Sequence, residues 1–255
     1  MTPGRAALGA AVGLAAGLLS GLFGVGGGIV TTPAIHLLLG APPYVAVGTP
    51  LPVIFPTALV GAYTYWRSGE ISLRAARWAG PPGAVGAILG AWATALVDPH
   101  WLLLVTAVLI GWQAVRVARP RPSSVRPGGE TPGAHYAMLG FATGAVSGLL
   151  GVGGGIIFVP IVTTVLGMPL KRALGTSLLL IAAIAIPGTL VHARLGHIDW
   201  GIFAVLVAGV VPGARLGARL ALGRRERTLR LLVAGFLAAV AVLYGAAEAS
   251  TLLRG

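Results

Sequence analysis

Two nearly identical stretches, Gly17–Ile29 (GLLSGLFGVGGGI) and Gly144–Ile156 (GAVSGLLGVGGGI), decide how this chain is organised. They agree at ten of thirteen positions and lie 127 positions apart. The same offset, without a gap, also pairs Pro33 with Pro160. We therefore predict two tandem repeats, and internal duplication of this kind is typical of secondary transporters.

The composition indicates that the repeats lie in a membrane. Of 255 residues, 56% are hydrophobic and 9% are charged, and the mean hydropathy is +0.90. The stretch from Ala6 to Trp66 contains no charged residue. A helix needs about 20 apolar residues to cross a bilayer, so this stretch must cross and turn back. We expect an all-α polytopic membrane protein.

Each repeat is predicted to contain a Gly-broken hairpin of two short segments followed by three full spans, giving 8–10 membrane segments in total. The first repeat covers residues 1–120 and the second covers 131–255. A stretch rich in Pro, Gly and Arg, residues 118–131, reads as a cytoplasmic linker. The expected segments are Ala6–Phe23, Ile29–Leu39, Val45–Trp66, Trp78–Val97 and Trp101–Val117, then His135–Leu150, Ile156–Leu166, Ala173–His192, Trp200–Ala221 and Leu231–Ala247.

Loop charges predict that the two repeats are inverted. Short cytoplasmic loops are enriched in Lys and Arg. In the first repeat the loop at Arg67 is basic, whereas the equivalent loop of the second repeat has Arg194 with Asp199. The next loop shows the opposite pattern, since it is basic at Arg224 in the second repeat and has no Lys or Arg around Asp98 in the first. Inversion requires an odd number of crossings per repeat. Three spans and a re-entrant hairpin meet that requirement.

The glycine clusters are costly in a plain membrane helix. Each Gly is worse than Ala by about 1 kcal/mol in a helix interior, and exposed backbone in lipid costs several kcal/mol more. Isolated Gly-x-x-x-Gly pairs elsewhere are explained by close helix packing. For the clusters we expect broken helices, with new helices starting near Ile29 and Ile156. Their free N–H groups and positive dipole ends would favour an anion.

The doubled glycine motif with its following Pro, the paired Gly-Thr of Gly48–Thr49 and Gly175–Thr176, and the Arg-x-Gly-x-Ile of Arg67–Ile71 and Arg194–Ile198 resemble the TauE/SafE sulfite exporter family. The resemblance covers essentially the whole chain. It implies a multi-pass permease of the bacterial cytoplasmic membrane. It also implies a small sulfur-containing anion, such as sulfite or an organosulfonate, as substrate.

Carrying the motif onto this chain gives the candidate site. The backbone positions are Gly26, Gly27, Gly28, Gly153, Gly154 and Gly155, and the candidate hydroxyl donors are Ser20, Ser147, Thr31, Thr49, Thr176 and Ser177. Arg215 lies inside an apolar span and is a candidate anion partner or gate. His36 is a candidate carrier of a coupling proton. Membrane hydroxyls also often bond their own backbone, which is the alternative for each of them.

Other function classes find little support. Without cysteine there is no thiolate chemistry, and neither paired membrane carboxylates nor a hydrolase or zinc-protease motif suggests an enzyme, a cofactor or a metal site. The net charge of +12 is assigned to topology and anionic membrane lipids rather than nucleic acid. A membrane scaffold or subunit without transport, or a carrier of another small solute, remains the alternative. Import or export, the coupling ion and the oligomeric state stay open.

Overall fold

The structure is a computed structural model that describes residues 3–97 and 132–229, together with single residues of 101–115 and 231–242. The described residues are helical and include no strand. Linker 118–131 and most of the expected segments Trp101–Val117 and Leu231–Ala247 lie outside them. The helices are α1 (Pro3–Phe23), α2 (Gly28–Leu37), α3 (Pro43–Gly48), α4 (Pro50–Arg67), α5 (Leu73–Ala93), α6 (Gly133–Leu150), α7 (Gly155–Thr164), α8 (Leu170–Arg194) and α9 (Trp200–Gly223), with a 3-10 turn at Thr94–Leu96.

Local sequence explains where several helices begin. The Ser72 hydroxyl accepts a hydrogen bond from Ala75 N at 3.3 Å and caps α5. At the equivalent start of α9, the Asp199 carboxylate accepts from Gly201 N at 2.8 Å. These caps satisfy N–H groups that the helix itself leaves free. The expected span Val45–Trp66 lies within one apolar stretch, Pro43–Arg67, in which α3 and α4 are separated because Pro50 supplies no N–H to continue the first helix.

Among the residues that the structure describes, four stretches are long and apolar enough to cross a bilayer: Gly4–Phe23, Pro43–Arg67, Leu170–Arg194 and Trp200–Gly223. The helices Gly28–Leu37 and Gly155–Thr164 are apolar but too short to do so. Large apolar side chains also face outwards, including Leu190 at 61% exposure. An apolar exterior of this kind suits a lipid environment.

Small residues let two pairs of helices pack backbone to backbone. α1 packs along α9, and α5 packs along α6. A Cβ built on Gly17 would lie 2.7 Å from Val210 Cα, and one on Gly144 would lie 2.9 Å from Gly83 Cα. These two contacts are equivalent at the 127-residue offset. Close approach between small residues is how helices associate where lipid removes the hydrophobic driving force.

α4 and α8 pack against each other, and they run in opposite directions, because the start of each lies beside the residues that follow the other. Thr49, at the start of α4, accepts a hydrogen bond at 3.0 Å from the N–H of Asp199, which follows α8. Thr176, near the start of α8, accepts one at 2.8 Å from the N–H of Ser72, which follows α4. The start of each helix is therefore fixed to the loop that follows the other.

Candidate functional site

Each glycine cluster begins as a helix cap. α1 ends where Gly24 takes a positive φ of 66°, and Gly24 N donates to Ser20 O at 2.8 Å. α6 ends in the same way at Gly151, with a φ of 65° and a bond of 2.9 Å to Ser147 O. Glycine adopts this left-handed conformation without the strain that a Cβ brings. The residues that follow form two loops, Gly24–Gly27 and Gly151–Gly154, which we call the glycine loops.

The two glycine loops meet in the interior. A Cβ built on Gly26 would lie 3.5 Å from Gly153 Cα, and one on Gly153 would lie 3.4 Å from Gly26 Cα. A Cβ on Gly155 would lie 2.7 Å from Val25 Cα, and one on Gly28 would lie 2.5 Å from Val152 Cα. Four of the six predicted glycines therefore pack backbone against backbone across the two halves of the chain.

Hydroxyl groups tie each loop to a helix of the other half. Ser177 Oγ, on α8, donates to Gly24 O at 2.7 Å. Thr32 Oγ1, on α2, donates to Gly151 O at 3.4 Å. Ser177 was among the predicted residues, and Thr32 was not, because its equivalent in the second repeat is Val159 and no motif marks it.

The helices that leave the loops begin with unpaired backbone donors. Within the described residues, the N–H groups of Gly28 and Ile29 at the start of α2 donate no hydrogen bond, and neither do those of Gly155 and Ile156 at the start of α7. All four residues are buried. Such N–H groups carry the positive end of the helix dipole and are the usual binding groups for an anion.

Two buried serine hydroxyls lie beside the loops. Ser20 is 0% exposed and Ser147 is 1% exposed, and neither Oγ has a hydrogen-bond partner among the described residues. A Cβ built on Gly27 would lie 3.6 Å from Ser20 Cβ. An unpaired buried hydroxyl costs about 1–3 kcal/mol, so each of these groups calls for a partner.

The two sides of the site differ in available space. A Cβ on Gly27 would find its nearest neighbour at 3.5 Å, the carbonyl oxygen of Ala16. A Cβ on Gly154 would overlap the side chain and carbonyl oxygen of Thr143, the equivalent residue of α6. Thr143 is buried and its Oγ1 also lacks a partner among the described residues. Sequence reasoning passed over Thr143 because the first repeat has Ala at that position.

The other predicted threonines have backbone partners. Thr31 Oγ1 donates to Gly27 O at 3.2 Å. Thr176 Oγ1 donates to Arg172 O at 2.7 Å while it accepts from Ser72 N. Thr49 Oγ1 accepts from Asp199 N. These hydroxyls have a structural use, and their part in substrate binding stays a prediction.

Arg215 and His36 lie apart from the glycine loops in the described contacts. Arg215 is exposed on α9 and lines a cavity of about 460 Å³ with Arg67 and Arg219. His36 is half-buried in the last turn of α2, where its Nδ1 donates to Ala41 O at 3.0 Å. Their proposed roles in binding and proton coupling likewise stay predictions.

Two further polar side chains brace the helices before the loops. Tyr65 Oη donates to Gly21 O at 3.0 Å. His192 Nε2 lies 2.9 Å from Gly148 O, to which it donates. The pairs are equivalent at the 127-residue offset. These two residues could have been predicted from the sequence, because each is a polar side chain at an equivalent position of an otherwise apolar span.

In this structure the site is closed. Ile54 and Ile181, equivalent residues of α4 and α8, cover the loops, since a Cβ on Gly26 would lie 3.2 Å from Ile54 Cγ2 and 2.9 Å from Ile181 Cγ2. Gly24–Ile29 and Gly151–Ile156 are buried throughout. The unpaired N–H and hydroxyl groups are therefore enclosed by protein in this structure.

The described chain has several helical stretches long and apolar enough to cross a membrane, and it has two helices that are broken at glycine clusters. These features are typical of polytopic membrane transporters. The family model described as Sulfite exporter TauE/SafE matches residues 9–244. The chain belongs to this family, and it is a multi-pass integral protein of the cytoplasmic membrane.

The names of three relatives support the assignment to membrane transporters. A "Probable membrane transporter protein" of Xylella fastidiosa (strain Temecula1 / ATCC 700964) is 30% identical over 205 residues, covering 78% of each chain. YunE of Bacillus subtilis (strain 168), named likewise, is 27% identical over 237 residues, covering 83% of this chain and 86% of its own. YdhB of the same organism is 26% identical over 201 residues, covering 77% and 82%. No solved structure matches.

Proposed function

We propose that the protein is a secondary transporter that moves a small sulfur-containing anion, such as sulfite or an organosulfonate, across the cytoplasmic membrane. The observation that carries this proposal is the buried meeting of two helix N-termini with unpaired N–H groups beside two unpaired serine hydroxyls, Ser20 and Ser147. Donors without acceptors favour a ligand that brings oxygen acceptors and negative charge. The family description supports sulfite, and the names of the relatives support transport without a substrate.

We infer that the anion binds between the glycine loops. Gly27 supports this placement, since a Cβ there would meet only ordinary van der Waals contacts at 3.5 Å or more, one of them with Ser20 Cβ. A sulfite or sulfonate group presents three oxygens, enough to accept from backbone N–H groups on both sides and from a serine. Such charge-assisted bonds are about twice as strong as bonds between neutral groups.

The proposed architecture is an inverted repeat with residues 1–120 and 131–255 as halves and 118–131 as a cytoplasmic linker. The antiparallel α4 and α8, and the exchange of contacts by Thr49 and Thr176 at opposite ends, support inversion. The short α2 and α7 support re-entrant hairpins, because neither is long enough to cross a bilayer.

The closed site supports transport by alternating access. Ile54 and Ile181 cover the loops, so the anion enters when one side separates and leaves when the other does. Rocking of one half against the other is the general mechanism of transporters built from inverted repeats. In this scheme Arg215 acts as an attractor or gate for the anion, and His36 carries a coupling proton where transport is proton-linked.

The proposal is tested by flux into proteoliposomes. We expect saturable uptake of radiolabelled sulfite by the wild-type protein, above that of empty vesicles. Ser20→Ala with Ser147→Ala should lower it by at least about tenfold, because bonds to a charged ligand contribute about 1.5–3 kcal/mol each. The control is Thr189→Ala, which also removes a buried hydroxyl without a partner in the described chain.

Uptake that the serine variant leaves unchanged would reject the glycine-loop site while leaving a transporter. Absence of uptake for sulfite, thiosulfate and organosulfonates alike would favour the alternative, a membrane scaffold or a carrier of another solute. Equal losses in the serine variant and in Thr189→Ala would assign the effect to stability rather than binding.

A further inference from the structure

A basic groove lies on the outer surface of the bundle, away from the buried glycine loops. It is a cavity of about 460 Å³ between α4 and α9, and its lining includes three arginines, Arg67, Arg215 and Arg219. The same cavity is also lined by Tyr63, Thr64 and Ser68. All three arginines are exposed.

The three arginines form no ion pair within the part of the chain that the structure describes. Arg215 lies eight residues before the end of α9 at Gly223, which is about 12 Å along the helix axis. An unpaired arginine at that depth in a membrane protein is costly unless it reaches an anionic partner.

The charge at this end of the bundle is positive beyond the groove itself. Lys171 Nζ donates to Leu222 O at 2.6 Å, at the end of α9, and Arg224, Arg225 and Arg227 follow α9 directly. The positive-inside rule assigns such an end to the cytoplasmic face. Basic pockets between helices on that face are suited to anionic lipid headgroups.

An apolar cavity adjoins the basic groove. It has a volume of about 270 Å³, is lined by Leu59, Trp66 and Leu179 among others, and shares Tyr63 with the groove. Tyr63 and Trp66 are 54% and 59% exposed. One ligand could therefore place an anionic group against the arginines and a hydrocarbon chain beside the aromatic rings.

The groove also differs from the substrate site in symmetry. The positions equivalent to Arg215 and Arg219 in the first repeat are Ile88 and Trp92. The glycine loops occur twice, whereas Arg215 and Arg219 have no basic counterpart at the equivalent positions of the first repeat. This favours an occupant that is itself present on one face, as a lipid of the cytoplasmic leaflet is, over an anion that crosses the membrane.

We propose that the groove between α4 and α9 is a binding site for an anionic phospholipid of the cytoplasmic leaflet. Arg67, Arg215 and Arg219 hold the phosphate, and the apolar cavity beyond Tyr63 receives the upper part of an acyl chain. The groove lies apart from the glycine loops, and although Arg215 also has the attractor or gate role proposed above, the binding test requires no transport.

Binding is measured on the purified full-length protein in detergent by native mass spectrometry, with dioctanoyl phosphatidylglycerol and dioctanoyl phosphatidylcholine as probes. We expect tighter binding of phosphatidylglycerol. Arg215→Gln with Arg219→Gln should weaken it about 30-fold, equal to about 2 kcal/mol. Trp66→Ala should weaken it about tenfold. The matched control is Arg194→Gln, the repeat equivalent of Arg67, which does not line the groove.

Inorganic sulfate is tested as a competitor, because a free oxyanion and the lipid phosphate both bring negatively charged oxygens to the arginines. Sulfate that displaces phosphatidylglycerol at equal concentration would overturn the lipid assignment in favour of a free-anion site. Equal binding of the two lipids, or a double Arg variant that binds as Arg194→Gln does, would also overturn it. Unchanged far-UV circular dichroism of the variants shows that these exposed substitutions leave the fold intact.

Discussion

Alanine at two equivalent glycines, Gly27 and Gly154, should have unequal effects on stability. Gly27 has a φ of 84° and Gly154 has a φ of −60°. An L-residue in the left-handed conformation costs about 1–2 kcal/mol, but the added methyl of Gly27→Ala finds no atom closer than 3.5 Å. Gly27→Ala should therefore lower the free energy of unfolding by about 1 kcal/mol, since Ala recovers some unfolded-state entropy.

Gly154→Ala carries no such backbone strain but lacks space. Its methyl overlaps the Cγ2 and carbonyl oxygen of Thr143 and lies 2.9 Å from the carbonyl carbon. A carbonyl in α6 cannot rotate away as a side chain can, so α6 and α7 must separate. Overpacking of this kind costs about 1–3 kcal/mol and occasionally more. We expect about 3 kcal/mol, clearly more than for Gly27→Ala.

Both variants can be compared by reversible unfolding in mixed micelles of rising dodecyl sulfate fraction, followed by circular dichroism. Thr143→Ala removes Cγ2 while leaving the carbonyl oxygen. Combined with Gly154→Ala it should therefore recover part of the lost free energy of unfolding, and combined with Gly27→Ala it should recover none. A coupling above about 0.5 kcal/mol is expected for residues in contact. A larger loss in Gly27→Ala, or equal coupling of Thr143→Ala to both, would refute this reasoning.

Three further outcomes are expected. Ser177→Ala leaves the buried Gly24 carbonyl without its donor and should lower the free energy of unfolding by about 1 kcal/mol. The control Ser68→Ala loses an exposed hydrogen bond to Thr64 O and should have little effect. Equal losses of stability in the two variants would contradict this prediction. Burial lowers the pKa of His197 below its ordinary value of 6.5, so its folded form resists protonation. Stability should therefore fall as the pH drops from neutral through the ordinary pKa to the lower folded one, and His197→Gln should flatten this part of a melting-temperature profile; an unchanged slope would contradict it. In this cysteine-free chain, single cysteines at Ser68 and Gly196 should react with impermeant maleimide from opposite sides of the membrane, and labelling from one side would contradict the inverted arrangement.

The helices could be predicted from the sequence because membrane spans depend on length and apolar composition alone. The breaks at the glycine clusters were also predictable, because consecutive glycines are poor helix formers wherever they occur. The division of Val45–Trp66 was harder to predict, since Thr49 keeps helical dihedral angles and only the missing N–H of Pro50 ends the first helix.

The hydrogen-bond partner of each hydroxyl in the site could not be predicted. Ser20 and Thr49 look alike in the sequence, as polar residues of apolar segments. In the structure Ser20 has no partner among the described residues, while Thr49 accepts from a residue 150 positions away. That distinction depends on which helices meet. The contact of Thr143 with Gly154 depends on it in the same way.

The central claim is that an anion binds at the two glycine loops, and calorimetric titration of purified protein with sulfite tests it most directly. We predict saturable binding by the wild-type protein and by Thr189→Ala. Ser20→Ala with Ser147→Ala should weaken this binding by at least about tenfold, because each serine would donate to a charged ligand. Equal affinity of the double serine variant and the wild type would contradict the claim.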